Sequence, residues 1–116
     1  MLAAGVPCQN SAANKEGLAG QQCGIPMNQM SAYVQDVLDL IEWANGNPAS
    51  SKWAKMRADA GHPAPFHLKM IGIGNEDLIT TAFEERYLMI CKAVKAKYPD
   101  IEVIGTVGPF HYPSAD

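Results

Sequence analysis

A parallel α/β fold is predicted for this chain by two observations. Short apolar runs at residues 2–6, 68–74 and 101–107 are separated by helical periodicities, giving the order strand, helix, helix, strand, helix, strand. The run at 68–74 also lacks clean apolar–polar alternation, as a strand buried on both faces of a parallel sheet does. Parallel neighbours need crossovers, and these are expected to be right-handed.

Taken in order, residues 2–6 read as the end of a buried strand running into Pro7. A polar stretch rich in Gly, Asn and Gln follows from Cys8 to Met27, and the long loop is bounded at 8–29. Loops of this length inside a compact domain are uncommon and usually functional or mobile. A helix is expected over 32–44, capped by Ser31 and stopped in a left-handed turn at Asn45-Gly46. Tyr33, Val34, Val37, Leu38 and Ile41 give it one apolar face, with Asp36, Asp39 and Glu42 on the solvated side. A shorter helix follows over 52–59, capped by Ser50 or Ser51 and ended by Gly61. Pro63 and Pro65 then hold the chain extended into the central strand.

The helix at 82–97 presents Phe83, Tyr87, Cys91 and Val94 on one face, with Tyr98 continuing the stripe. Glu84 and Glu85 in its first turn and Lys92, Lys95 and Lys97 in its last complement the helix dipole. Pro99 closes it, and 101–107 is read as the next buried strand, ended by Gly108-Pro109.

Composition bounds the function. The chain has 116 residues, the size of one domain or part of one, and a formal charge of -3. A nucleic-acid or anionic-membrane surface needs clustered Lys and Arg, and this balance argues against one. No apolar stretch approaches a membrane span, and the first residues lack the basic flank and apolar run of a signal peptide, which leaves the compartment open. Three cysteines without a CxxC pair do not make a disulfide scaffold. Cys8 and Cys23 could pair across their loop, since spacing does not fix connectivity, with free thiols the favoured reading, and Cys91 is read as a small core residue.

In parallel α/β proteins, sites form beyond the carboxyl ends of the strands. Asn75-Glu76-Asp77 leaves the central strand there. A carboxylate in that place can be a general acid or base, and an adjacent amide can hold a substrate hydroxyl, donating and accepting at once. A solvated turn with a helix cap explains the same three residues equally well. Gly72-Ile73-Gly74 superficially matches a dinucleotide-binding loop, but Asp77 stands where Gly or Ala is needed. Glu76 and Asp77 would also repel a pyrophosphate, so the two glycines are assigned to relief of crowding.

His62, His67 and His111 have no metal-ligand spacing, and no metal or other cofactor is implied. His62 is expected to be structural, hydrogen-bonded in its turn. His111 and Tyr112 follow the third strand and could line a pocket near Glu76, with a surface loop as the simpler reading. Trp43 and Trp53 could offer a sugar-stacking platform, although packing is the commoner role of helical Trp.

Four ordered segments then carry a resemblance. They are Tyr33 to Gly46, Lys52 to Phe66 with its Gly61-His62-Pro63, the strand Lys69 to Glu76, and Phe83-Glu84-Glu85-Arg86-Tyr87. Together they resemble glycoside hydrolase family 51, the α-L-arabinofuranosidases. The resemblance implies a (β/α)8 TIM barrel, of which residues 1–116 would be strands 3 to 5 with their helices and no second domain. It implies Glu76 as the acid/base of a retaining mechanism and Asn75 as the partner of the sugar 2-hydroxyl. The nucleophile of such enzymes belongs to the seventh strand, and the chain stops soon after the fifth. Asp77 cannot replace it, because successive residues leaving a strand point in different directions.

The expectation is therefore a fragment carrying half of a carboxylate pair, inactive alone, from an enzyme that takes an arabinose-containing carbohydrate. Open strand edges predict self-association. A non-catalytic carbohydrate-binding or interaction module, or a related barrel glycosidase with another sugar, are the alternatives.

Overall fold

The elements appear in the expected order. The computed structural model describes residues 2–4, 25–74 and 81–105. Strand β1 spans Leu2–Ala4, helix α1 Met30–Asn45, α2 Lys52–Asp59, β2 Met70–Ile73, α3 Thr81–Lys97 and β3 Glu102–Gly105. The strands form one parallel sheet in the order β1-β2-β3. Its register aligns Ala4, Ile73 and Gly105 in a single row at the carboxyl edge. The expected strand residues 5–6 and 106–107 lie outside the described residues, as do Cys8 and Cys23.

The core lies between the sheet and the helices. Ile71 and Ile73 of β2 meet Val37 and Ile41 of α1 and Ile90 and Val94 of α3, with Ile25, Met30 and Ile101 closing the cluster. Each such side chain contributes about 1.5–3 kcal/mol on burial, so this cluster outweighs any single hydrogen bond in the fold.

Two helix ends differ from expectation. Helix α1 begins at Met30, its N-cap Gln29 makes no side-chain cap bond, and Ser31 is inside the helix. A 3-10 turn at Met27–Gln29, led by Pro26, delivers the chain into α1 and forms the end of the long loop. Fully burying Met30 at this start is worth more than the ~1 kcal/mol a serine cap supplies. At the other end Gly46 is extended, with φ -68°, and not left-handed. Glycine is needed there for space: a Cβ would lie 2.5 Å from the Glu42 carbonyl oxygen.

The short helix matches its reading. Ser51 accepts a hydrogen bond from the Ala54 amide at 3.2 Å, and Gly61 takes a φ of +103° past the end. On α3 the buried stripe is Phe83, Ile90 and Val94, while Tyr87 and Cys91 are half-buried. The helix is thus turned slightly from the expected face, and Ile90 takes the place given to Cys91. The expected dipole pattern is present, with Glu84 in the first turn and Lys95 and Lys97 in the last.

Strand β3 is not buried on both faces. Glu102 and Ile104 are exposed, and the register puts them on the same face as Met70, which is also exposed. Among the described residues, the helices cover only the face that carries Ile71 and Ile73.

The amino end of the sheet is tied by side chains. Asn45, at the end of α1, donates to the Leu68 carbonyl at 2.9 Å and accepts from its amide at 2.7 Å, imitating a strand partner just before β2. Phe66 donates its amide to the Ala44 carbonyl at 2.8 Å. Arg57 of α2 is completely buried and donates to five backbone carbonyls, those of Trp43, Ala44, Gly46, His62 and Pro63. The guanidinium fork has five N–H groups, so every donor is used. Trp43, Ala44 and Gly46 form the carbonyl end of α1, so the negative end of its dipole also stabilises the buried cation.

Candidate active site at the carboxyl edge of the sheet

Strand β2 delivers the chain to this edge. Ile73 is fully buried, and the buried Gly74 that follows has a φ of +89°. Only glycine takes that conformation without steric cost. The expectation that Gly74 relieves crowding is therefore corrected: at this position the reason is backbone conformation. Asn75, Glu76 and Asp77 come next in the chain and lie outside the described residues, as do His111 and Tyr112. In sequence, Glu76 is two residues beyond Gly74 and His111 six beyond Gly105.

The described side chains nearest this edge brace it. Tyr87 of α3 lies flat against Gly105, where an added Cβ would come within 2.9 Å of its ring. Its hydroxyl donates to the Val103 carbonyl at 3.5 Å, and Phe83 stacks on it at 5.9 Å between centroids. The neighbouring Cys91 side chain and burial push the Tyr87 phenol up to about 12. Tyr87 therefore stays protonated across the working pH range and braces β3. Arg86, one residue earlier, donates to the Ile25 carbonyl at 2.7 Å, tying the start of α3 to the segment that enters α1.

Other sequence candidates fall elsewhere. The His62 ring bonds the Ala64 carbonyl through Nδ1 at 2.7 Å and stacks on Phe66 at 4.1 Å, the structural role expected of it. Among the described residues no group of three or more His, Cys, Asp or Glu could hold a metal, and no helix there is long and apolar enough to cross a membrane. Glu42, read as solvated, accepts from the Tyr98 hydroxyl at 2.6 Å and links α1 to the end of α3. The sequence reading passed over Arg57; the available signal was its place three residues after Ala54, on the buried face of a short helix.

These features define a parallel α/β protein whose chemistry is expected at the carboxyl edge of its sheet. Residues 4–115 match the family described as the alpha-L-arabinofuranosidase 1 domain. The chain belongs to that family, the α-L-arabinofuranosidases of glycoside hydrolase family 51. It is similar to an extracellular exo-α-L-arabinofuranosidase of Streptomyces chartreusis, 48% identical over 80 residues that make up 69% of this chain and 10% of that protein. It is also similar to α-L-arabinofuranosidase 1 of Arabidopsis thaliana, 41% identical over 86 residues, 71% of this chain and 12% of that one. A solved arabinose-bound MgGH51 α-L-arabinofuranosidase aligns with a TM-score of 0.68 at 34% identity, covering 78% of this chain and 15% of that one. The matched segment thus spans about a tenth of the length of these curated relatives.

Proposed function

We propose that this chain forms strands 3 to 5 of a (β/α)8 barrel and supplies the acid/base carboxylate of a retaining α-L-arabinofuranosidase. Glu76 is that carboxylate. It protonates the oxygen leaving the anomeric carbon, then takes the proton from the water that releases the glycosyl-enzyme. The second carboxylate, the nucleophile, must stand about 5–5.5 Å away and comes from a later strand of the whole protein. Burial and the nucleophile's charge both keep Glu76 protonated until it is needed. Asn75 hydrogen-bonds the sugar 2-hydroxyl, and His111 and Tyr112 line the pocket from the end of β3. The substrate is a terminal α-L-arabinofuranosyl residue on an arabinose-containing polysaccharide or oligosaccharide.

One observation carries this reading: Asn75-Glu76 follows directly on the buried end of β2, the middle strand of a parallel sheet, within the region that matches the family. The exposed face of Met70, Glu102 and Ile104 fits a surface that further strands of a barrel would enclose. By the same reasoning the 116-residue chain on its own self-associates through its open strand edges.

The test is hydrolysis of an aryl α-L-arabinofuranoside. In the whole enzyme, Glu76→Gln is expected to slow turnover strongly on a poor leaving group and much less on an activated one, because acid assistance matters least when the leaving oxygen is already stable. The pure 116-residue chain is expected to be inactive. Hydrolysis by that chain, abolished by Glu76→Gln, would overturn the half-pair reading.

A further inference from the structure

A groove of about 270 Å³ runs between α1 and α2, lined by Asp36, Asp39, Leu40 and Trp43 from the first helix and by Trp53 and Met56 from the second. Neither helix uses these residues as its main inward stripe. On α1 that stripe is Val37, Ile41 and Ala44; on α2 it is Ala54 and Arg57. Two indoles, a leucine and a methionine that is 56% exposed thus gather on an outward face. The groove also lies toward the wrong end of the sheet for the proposed catalysis. The end of α1 is bonded through Asn45 to Leu68, before β2 begins, whereas Gly74 lies beyond its other end.

The lining restricts what can bind. Asp36 and Asp39 stand one helical turn apart and repel anions, and no basic side chain is in the lining. A cationic guest is disfavoured too, because the Lys52 ammonium already stands 4.8 Å from the centroid of the Trp53 ring. What remains complementary is a neutral molecule with an apolar C–H face for an indole and hydroxyls to donate to carboxylates. Trp43 is held for this role: Phe66 stacks on it at 5.5 Å, and His62 stacks on Phe66 in turn. Gln35 donates to Asp39 at 2.9 Å and fixes that carboxylate.

We infer that the groove is a subsite for a neutral saccharide, holding the arabinose-bearing polysaccharide away from the bond being cleaved. The inference rests on the proposed activity for its choice of sugar.

The chain offers its own probe, since Trp43 and Trp53 are its only tryptophans and both line the groove. Intrinsic fluorescence of the 116-residue chain is titrated with a neutral arabino-oligosaccharide, an oligogalacturonate and a lysine-rich peptide. The expected result is a saturable shift with the neutral sugar only, unchanged in Glu76→Gln. Trp53→Ala and the fully conservative Asp36→Asn should each weaken it about tenfold while the circular dichroism spectrum stays unaltered. No shift with the neutral sugar, an equal shift with the oligogalacturonate, or a shift with the peptide alone would each overturn the inference. The catalytic reading stands or falls separately. Saccharide binding here together with an active Glu76→Gln whole enzyme sinks that reading alone, and an inactive Glu76→Gln without a fluorescence shift sinks this one alone.

Discussion

Arg57 gives the sharpest test of how the chain holds itself together. Its Nε donates to the His62 carbonyl at 2.9 Å, Nη1 to Trp43 at 2.8 Å and Ala44 at 3.2 Å, and Nη2 to Gly46 at 3.1 Å and Pro63 at 3.0 Å. No carboxylate among the described residues forms an ion pair with it. Removing the guanidinium leaves Ala44 with Phe66 as donor, while the other four carbonyls lose theirs. Breaking a buried charged cluster by deleting one partner typically costs about 3–5 kcal/mol, out of a total stability of about 5–15 kcal/mol. Arg57→Ala, which also opens a cavity, is therefore expected to leave the chain largely unfolded. Arg57→Met keeps most of the stem and should lose about 3 kcal/mol. Arg57→Lys has three donors and serves at most three of the five acceptors, so it should lose about 1–3 kcal/mol. Urea titration followed by circular dichroism measures the series, with the order Lys, Met, Ala from least to most damaging. If Arg57→Met unfolds within 0.5 kcal/mol of the parent chain, the hydrogen bonds contribute nothing net and the reasoning fails.

Two further outcomes follow. Burial and its bond to Glu42 hold the Tyr98 phenol well above the ordinary tyrosine range, so above pH ~10 the unfolded chain loses this proton first and stability must fall as pH rises. Tyr98→Phe should flatten that alkaline fall in thermal melts; an unchanged slope would show that the phenol does not report on folding. Light scattering of the 116-residue chain should give a mass above one copy that grows with concentration, and a compact monomer at all concentrations would argue for a self-contained module.

Much of this architecture was legible because it depends on local periodicity. The apolar steps along α1, the Ser51 cap, the Glu-first and Lys-last charge pattern of α3 and the strand punctuation by Gly and Pro are all local signals. The misread features depend on tertiary geometry. Ser31 looked like a cap because nothing local says that Met30 must be buried first. Gly46 looked like a left-handed stop, but its reason is the nearness of the Glu42 carbonyl. Gly74 looked like a packing glycine, but its positive φ of +89° is a backbone requirement that no local pattern announces. Arg57 was passed over because only its helical spacing from Ala54 marks it; its partners are carbonyls on two separate segments and leave no charge pattern in the sequence. The candidate site residues Asn75, Glu76, His111 and Tyr112 lie outside the described residues, so their assignment rests on the general rule that parallel α/β proteins carry their chemistry beyond the carboxyl ends of the strands.

The two ends of the sheet are built by different means, and that difference bears on function. At the amino end the Arg57 hub, the Asn45 clamp, the Tyr98–Glu42 bond and the 2.5 Å bond from Lys95 to the Ile101 carbonyl all join side chains to backbone or helix to helix. These bonds satisfy helix-end carbonyls and strand entries, and none needs a particular residue at the carboxyl edge. At the carboxyl edge the described bracing comes from α3, through the Tyr87 ring packed on Gly105 and its hydroxyl bonded to the Val103 carbonyl. In barrel enzymes generally, the carboxyl ends of the strands carry variable loops and the chemistry, while the amino face carries stability. A substitution beyond Gly74 or Gly105 should therefore alter chemistry with little effect on folding, whereas one at Arg57 or Asn45 should unfold the chain before it touches the chemistry.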